Sequence, residues 1–497
     1  MSDPHPTPGR GVPLAAVASV CGGEIRGRAD AQISDVTHDS RQAGAGTLYA
    51  CRPGLRADGH DFAPEAAQRG AAALLVERWV DVALPQVRVP SVATAMGPAA
   101  SHVHGDPSRR LDLYGITGTN GKTTTAYLLE AVLAAAGFVT GLIGTVETRI
   151  AGETVPGVRT TPEATDLQRL LRRMVDRGVG AGAMEVSSHG LALERVRGTR
   201  FSAVGFTNLS QDHLDFHRDM EDYFTAKQAL FDGSYADAAV ISIDDAWGRR
   251  LADAAAGDVV TLSTSDDSAD VHASGITQTP SGSVLNAHLR SRTLRINTPL
   301  IGPFNVANAL LALALAEAGG VDVAEAARGL ETLAGVPGRM QVVDAGQPFA
   351  VLVDYAHTPD AVERVLAAAR AATGPRGRVI VVLGCGGDRD RDKRPLMGRA
   401  ATSGADLAVL TSDNPRSEDP VAIIDEIVRG ARAGDGGDWE VELDRRAAIA
   451  RALDAASDAD VVVIAGKGHE ATQEIAGVHH HFDDRLVAAE LLREARR

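Results

Sequence analysis

The chain has 497 residues, 44% of them apolar, and carries 50 Lys and Arg against 65 Asp and Glu, a formal charge of −15. That length exceeds what one hydrophobic core serves and predicts a globular protein of two to four domains. An acidic chain without a long basic block excludes nucleic acid or an acidic membrane surface as its main partner, so anionic substrates must be held by local sites.

Residues 1–13 are rich in Pro and Gly and lack both a basic start and an apolar core; they read as a frayed tail, neither a signal peptide nor a membrane span. Residues 14–108 alternate short strands and helices with turn punctuation, a small first domain. Residues 109–337 place apolar strands at 182–186, 203–207 and 239–243 between helical patterns, the mark of a parallel sheet covered on both faces. Gly335-Val336-Pro337-Gly338 breaks both periodicities and is expected as a hinge. A third domain, 338–497, follows with strands at 350–354, 378–384, 406–410 and 461–465, again a doubly wound pattern. Cys21, Cys51 and Cys385 are too few and too scattered for a disulfide framework or a zinc site, which fits a reducing cytoplasm.

The strongest local signal follows the apolar run at 111–116. Gly118, Thr119, Asn120, Gly121, Lys122, Thr123 and Thr124 open a helical pattern ending near Ala136. Backbone N–H groups in such a turn point at phosphate oxygens, Lys122 reaches the outer phosphates, and the Thr123 hydroxyl suits Mg²⁺. The usual phosphate-loop pattern wants glycine where Ile116 stands, so this is a variant loop. The expected fold class is α/β in three domains: a small N-terminal α/β domain, a central P-loop-type parallel-sheet ATPase domain and a C-terminal Rossmann-like α/β domain.

Other polar groups cluster at strand ends, where open α/β sheets place ligand contacts. Glu185, in Met184-Glu185-Val186-Ser187-Ser188-His189-Gly190, suits a Mg²⁺ ion shared with phosphates, or caps the next helix. The stretch 206–217 holds two Asp and two His; His213 is the metal-ligand candidate there, against a plain polar loop. Lys227 by itself reads as a solvated helix lysine. Asn305 and Asn308 share a helix face and suit an adenine edge, with capping by Asn305 as the local alternative. Asp354 precedes a Pro-initiated helix and suits ribose hydroxyls. Gly384-Cys385-Gly386-Gly387-Asp388-Arg389-Asp390 has Arg389 where a dinucleotide fingerprint needs glycine, which rejects an NAD site. In Asp413-Asn414-Pro415-Arg416 the guanidinium can fork onto a carboxylate while Asp413 and Asn414 meet an ammonium, or the stretch is an Asx turn. Gly466-Lys467-Gly468-His469-Glu470 follows the last predicted strand, with Glu470 open to a cationic group. His479-His480-His481 cannot converge in extended chain and is expected as a solvated loop.

The fragments T-G-T-N-G-K-T-T, M-E-V-S-S-H-G, F-T-N-L-S-x-D-H-L-D, G-x-F-N-x-x-N, D-Y-A-H-T-P-D, G-C-G-G-D-R-D and D-N-P-R, in this order, resemble the Mur ligase family over essentially the whole chain. These are ATP-dependent amide-bond ligases of peptidoglycan precursor synthesis. The resemblance implies ATP as substrate on the loop 118–124 with Asn305, Asn308, Arg339 and Asp354, and catalytic roles for Lys122, Glu185, His213 and Lys227. It implies Mg²⁺ held by Thr123, Glu185, His213 and Lys227, the lysine carbamylated by CO₂ into an anionic ligand. It assigns UDP-N-acetylmuramoyl-L-alanyl-D-glutamate to His38, Ser40, Leu55, Arg56, Ala57, Arg159, Thr160, Thr161, Ser187 and Arg195. Arg159 and Leu193 depart from the Asn and Gln of relatives.

D-N-P-R together with G-K-G-H-E implies meso-diaminopimelate as the incoming amine, bound by Arg389, Asp413, Asn414, Pro415, Arg416, Gly466 and Glu470. Its extra carboxylate needs the cation that Arg416 supplies. The expected chemistry is attack of the D-glutamate γ-carboxylate on the ATP γ-phosphate, then displacement of phosphate by the amine, with closure at the hinge excluding water. The expected protein is a cytoplasmic monomer without membrane insertion. Its rivals are a lysine-adding member of the family, a folylpolyglutamate-synthetase-like ligase, and a P-loop regulatory ATPase.

Overall fold

The computed structural model describes residues 11–495 except 55–56, 158, 280–281, 334, 374–375 and 435. At the end of the stretch read as a tail, Val12–Pro13 pair antiparallel with Gln32–Ile33; residues 1–10 lie outside the described residues. A five-stranded sheet follows in the order Glu24–Arg26, Gln86–Arg88, Ala73–Val76, Thr47–Ala50, Asp35–Thr37. Its core, with Leu48, Leu75 and Val87 fully buried, is sealed by the helix Val92–Val103.

In the central sheet the strand Asp112–Thr117 lies between Ala181–Glu185 and Ala203–Phe206, parallel to both. Successive side chains of a strand point to opposite faces, and here both faces are covered. Tyr114 and Ile116 pack with the helices Lys122–Ala135 and Pro303–Ala318, whereas Leu113 packs with Leu167, Leu171 and Met174 of Ala164–Asp176. Ile116, the departure from the phosphate-loop pattern, is a fully buried residue of this strand. A glycine there would leave a hole in the core, so the turn begins only at Gly118.

The parallel order extends through Ala238–Ser242 and Asp258–Ser263. Beyond it the strand-and-helix expectation fails. Val271–Thr279, Gly282–His288 and Thr293–Thr298 form an antiparallel meander, and Glu147–Ile150 with Glu153–Pro156 make a hairpin on the opposite edge, so the eleven-stranded sheet is mixed.

The third sheet has six strands: Gln341–Val342, Ala350–Asp354, Val461–Ala465, Val379–Leu383, Leu407–Leu410 and Asp438–Val441. All neighbours are parallel except the edge strand Gln341–Val342. The runs V-I-V-V-L and V-V-V-I-A read as continuous apolar segments because helices cover both faces. The carboxyl ends of four strands bring Asp354, Gly384, Thr411 and Gly466 to one edge, the expected ligand edge of such a sheet. Val461–Ala465 is not the last strand: Thr472–Ile475 and Val478–His481 form a further hairpin. The three histidines thus lie in a strand rather than a loop, and all are exposed.

Candidate active site

Two glycines shape the phosphate loop. Gly118 has φ +143°, and a Cβ there would lie 1.8 Å from Thr207 Oγ1; Gly121 has φ +90°, with Asn308 Oδ1 only 2.4 Å from a Cβ. Both positions need a left-handed backbone and have no room for a side chain. Thr207 Oγ1 donates to the Asn120 carbonyl (2.6 Å), and the Thr119 amide donates to the Asn208 carbonyl (2.8 Å). Lys122 Nζ, half-buried, donates to the carbonyls of Gly118 and Thr119, both at 2.8 Å. Burial lowers its pKa while Glu185 and Asp212 pull the other way.

Glu185, at the end of its strand, accepts from Thr123 Oγ1 (3.0 Å), the Thr145 amide (2.8 Å) and Thr145 Oγ1 (3.0 Å). The cap of the following helix is Ser187, which accepts from the Gly190 amide, so Glu185 is not a helix cap. Arg339, from beyond the hinge, donates to the same Thr123 hydroxyl (3.2 Å) and lies over the Tyr355 ring.

Lys227 overturns its plain reading as a solvated lysine: it is 1% exposed, with Nζ donating to the Gly118 carbonyl (2.8 Å) and lying over the Tyr223 ring. Burial first, then the Lys122 charge, pushes its pKa well down. His213 has φ +56°, faces Asp212 Oδ2 at 3.4 Å and meets the His189 ring edge-on. Burial holds its imidazole neutral. Among the described residues, no three His, Cys, Asp or Glu converge into a metal cage.

These groups line one cavity of about 280 Å³, with Thr119, Asn120, Gly121, Thr123 and Thr124 on its floor and Asp354, Tyr355, Ala356 and His357 on the opposing wall. Asn305 and Asn308 line it too, but their amides bond each other (3.0 Å), Asn305 Nδ2 also donates to the Ile301 carbonyl (2.7 Å), and Asn305 caps nothing. Asp354 accepts from the backbone amides of Met340 (2.7 Å) and Ala356 (2.8 Å), and burial raises its pKa. Besides the Arg339–Thr123 bond, Asn120 Nδ2 donates across the cleft to Asp360 Oδ2 (3.1 Å), and His357 faces Asp212 at 3.8 Å.

The nucleotide-sugar candidates divide into two groups. Ser40 donates to Glu65 (2.8 Å), His38 meets Thr165 Oγ1 (2.9 Å), and the Ala57 carbonyl accepts from Gly54 (2.9 Å); Leu55 and Arg56 lie outside the described residues. Thr160 bonds Thr145 (2.9 Å), while Thr161 is fully buried and bonds Ser187 (3.1 Å) rather than facing the cavity. Arg159 and Arg195 converge on Glu163, joined by Arg52 from the first sheet's side (2.8 Å). Burial opposes ionisation of Glu163, but the three guanidiniums hold its pKa down. Glu163 and Arg52 were not anticipated; the carboxylate two residues after Thr161 was their only trace in the sequence.

The amino-acid candidates gather at the edge of the third sheet. The glycines of G-C-G-G make room for D-N-P-R: a Cβ at Gly387 would meet the Pro415 carbonyl at 1.9 Å, and one at Gly386 would meet Arg416 Nη1 at 2.9 Å. Arg416 has φ +53° and donates to the Gly387 carbonyl (2.6 Å). Exposed Arg389 runs its stem beside Gly386. Asn414 Nδ2 donates to Glu470 Oε2 (2.8 Å), and a Cβ at Gly466 would lie 2.6 Å from Asp413 Oδ2. Burial and the Asp413 charge raise the Glu470 pKa. The neighbouring carboxylates Asp413 and Glu470 suit an ammonium, and the Arg416 guanidinium on the same edge suits a carboxylate.

Sequence profiles of this family match all three parts of the chain: its "catalytic domain" at 32–107, "middle domain" at 116–316 and "glutamate ligase domain" at 338–468. The chain belongs to the Mur ligase family. It is 47% identical, over 99% of its length and 98% of the relative's, to the UDP-N-acetylmuramoyl-L-alanyl-D-glutamate–2,6-diaminopimelate ligase of Streptomyces avermitilis. It is 44% identical to the same-named ligase of Bacillus cereus, over 93% of the chain and 94% of that protein. A solved structure of a ligase with this name superposes with a TM-score of 0.70 at 33% identity, covering 98% of this Mur ligase and 100% of that chain.

Proposed function

We propose that this Mur ligase joins the D-glutamate γ-carboxyl of UDP-N-acetylmuramoyl-L-alanyl-D-glutamate to an amino group of meso-2,6-diaminopimelate, converting ATP to ADP and phosphate. The observation that carries it is the adjoining of two sites: the phosphate-loop cavity and the D-N-P-R edge share the Asp354 backbone, whose carbonyl accepts from the Gly466 amide at 3.1 Å. The relatives' printed names support the choice of amine.

Residues 14–108 take the UDP end, 109–337 ATP, and 338–497 the amino acid, with Gly338 near the pivot. The loop 118–124 cradles the phosphates, and Asn305, Asn308, Arg339 and Asp354 surround the rest of the nucleotide. Ser187, Thr160, Arg159 and Arg195 face the dipeptide, with Thr161 fixing Ser187. Lys122 and Arg339 spread positive charge over the transferring phosphoryl group as the γ-carboxylate oxygen bonds to phosphorus and ADP leaves. The amine nitrogen then attacks the acyl carbon, phosphate departs, and the amine gives up a proton.

The donor set of Thr123 hydroxyl and Glu185 carboxylate, without a full protein cage, fits a Mg²⁺ ion that keeps phosphate and water ligands. His213 and carbamylated Lys227 complete that set, and the bound ion would neutralise phosphate charge. Burial keeps Lys227 in the uncharged form that adds to CO₂, forming an N–C bond and releasing a proton. We place the enzyme in the cytoplasm as a monomer; its three cysteines are free, and no described helix is long and apolar enough to cross a membrane.

The test is ADP release with the UDP-linked dipeptide and each candidate amino acid. Turnover with diaminopimelate and not L-lysine is expected. Equal use of lysine supports the lysine-adding rival, and ATP hydrolysis without the UDP-linked dipeptide supports a regulatory ATPase.

A further inference from the structure

The hairpin Thr472–Ile475 and Val478–His481 lies outside the family motifs, yet it grips the D-N-P-R loop along its length. Gln473, buried, donates from Nε2 to the Asp413 carbonyl at 2.7 Å. The Glu474 amide donates to Asn414 Oδ1 (2.9 Å), which leaves the Asn414 NH₂ group turned toward Glu470. The Arg416 amide donates to the Glu474 carbonyl (3.0 Å), and the Ala476 amide donates to the Arg416 carbonyl (2.7 Å). Arg416 and Ile475 thus form a parallel bridge, at the one residue of the loop whose backbone is left-handed. A non-glycine residue at φ +53° persists only where its surroundings over-determine it, and here the hairpin supplies that constraint.

We infer that Gln473 and the hairpin it anchors are the positioning element for amino-acid selection: they fix Asp413, Asn414 and Arg416 so that the guanidinium meets a second carboxylate. Gln473 touches no reacting atom. It acts by holding the Asp413 carbonyl, so its loss frees the loop rather than removing a ligand contact. The inference rests on the diaminopimelate reading above.

The test is Gln473→Leu in the full-length enzyme, with Gln473→Asn as a second variant that keeps the amide but shortens its reach to the Asp413 carbonyl. The expected result for Gln473→Leu is a KM for diaminopimelate raised about tenfold, the scale of one buried hydrogen bond. Preference over L-lysine should fall, with kcat and the KM values for ATP and the UDP-linked dipeptide unchanged. The thermal shift induced by diaminopimelate should shrink while that induced by ATP persists, a difference a merely structural role would not produce. An unchanged diaminopimelate KM and selectivity, or an equal loss for all three substrates, overturns the inference. If Gln473→Leu does not fold, unaltered diaminopimelate-to-lysine selectivity in Gln473→Asn overturns it. A wild-type enzyme that does not use diaminopimelate instead defeats the functional reading.

Discussion

Removing the Arg416 guanidinium should separate amino-acid recognition from every other step. Its side chain is 22% exposed and is held by the Gly387 carbonyl at 2.6 Å, with Glu474 Oε2 at 3.6 Å from Nε. A carboxylate meeting it would form a charge-assisted pair in a largely desolvated setting, worth about 3 kcal/mol, so Arg416→Ala should lower kcat/KM for diaminopimelate about a hundredfold. Arg416→Lys keeps the charge and loses the fork; a loss of about tenfold is expected. Arg416→Gly sharpens the test, because glycine adopts φ +53° freely. That variant should be more stable by about 1 kcal/mol in denaturant titration while recognising diaminopimelate no better than Arg416→Ala.

The assay is ADP release at saturating ATP and UDP-linked dipeptide, with diaminopimelate varied. The KM for ATP should not move, since Arg416 does not line the cavity of the phosphate loop. Diaminopimelate kinetics within about twofold of wild type in both Arg416→Ala and Arg416→Lys would refute the argument, because a desolvated charge pair cannot be lost so cheaply.

Lys227→Met keeps the buried stem and deletes the amine; product formation should fall by about two orders of magnitude, the scale of one preorganised electrostatic group, and the ¹³CO₂-derived carbamate resonance expected of the wild type should be absent. For pH, burial and Asp413 raise the Glu470 pKa above its ordinary value, so as pH falls Glu470 takes up its proton sooner than an ordinary carboxylate. Its attraction for an ammonium is present only above that raised pKa, and initial rates across pH should therefore show the diaminopimelate KM rising on acidification before the KM for ATP changes. Arg445 and Asp484, both fully buried, pair at 2.7 Å. Arg445→Met should destabilise by about 3–5 kcal/mol in denaturant melts by stranding the carboxylate, and adding Asp484→Leu should recover most of that loss.

The fold class was legible because both main sheets are fed by near-continuous apolar runs such as V-I-V-V-L, which only a two-face burial requires. The meander after Ser263 was not, since its strands follow one another without helices and their polar faces resemble loop sequence. Lys122 and Thr123 stood out because phosphate chemistry fixes their spacing, and Glu185 because it ends a buried apolar strand. Lys227 stood out only through the family resemblance, because nothing local signals that a helix lysine will be buried; only the fold closes the Gly118 loop over it. Gln473 acts through Asp413, 60 residues away, and Arg52 through Glu163, 111 residues away, pairings that no local periodicity reports.

The proposed hinge would carry more than a change of direction. A Cβ at Gly338 would lie 2.1 Å from the His469 amide nitrogen, and Asp354 accepts from the Met340 amide, so the chain just past the proposed pivot packs closely on the G-K-G-H-E loop and is bonded to the strand beneath it. Arg339 lies between these anchors and reaches back to Thr123 on the phosphate loop. Rotation at residues 335–338 that opens the cleft would withdraw Arg339 and the Tyr355 wall from the nucleotide in the same movement that carries Arg416 away. The acyl phosphate would then form only where the amine is already presented, and water, the competing nucleophile, meets a closed cavity.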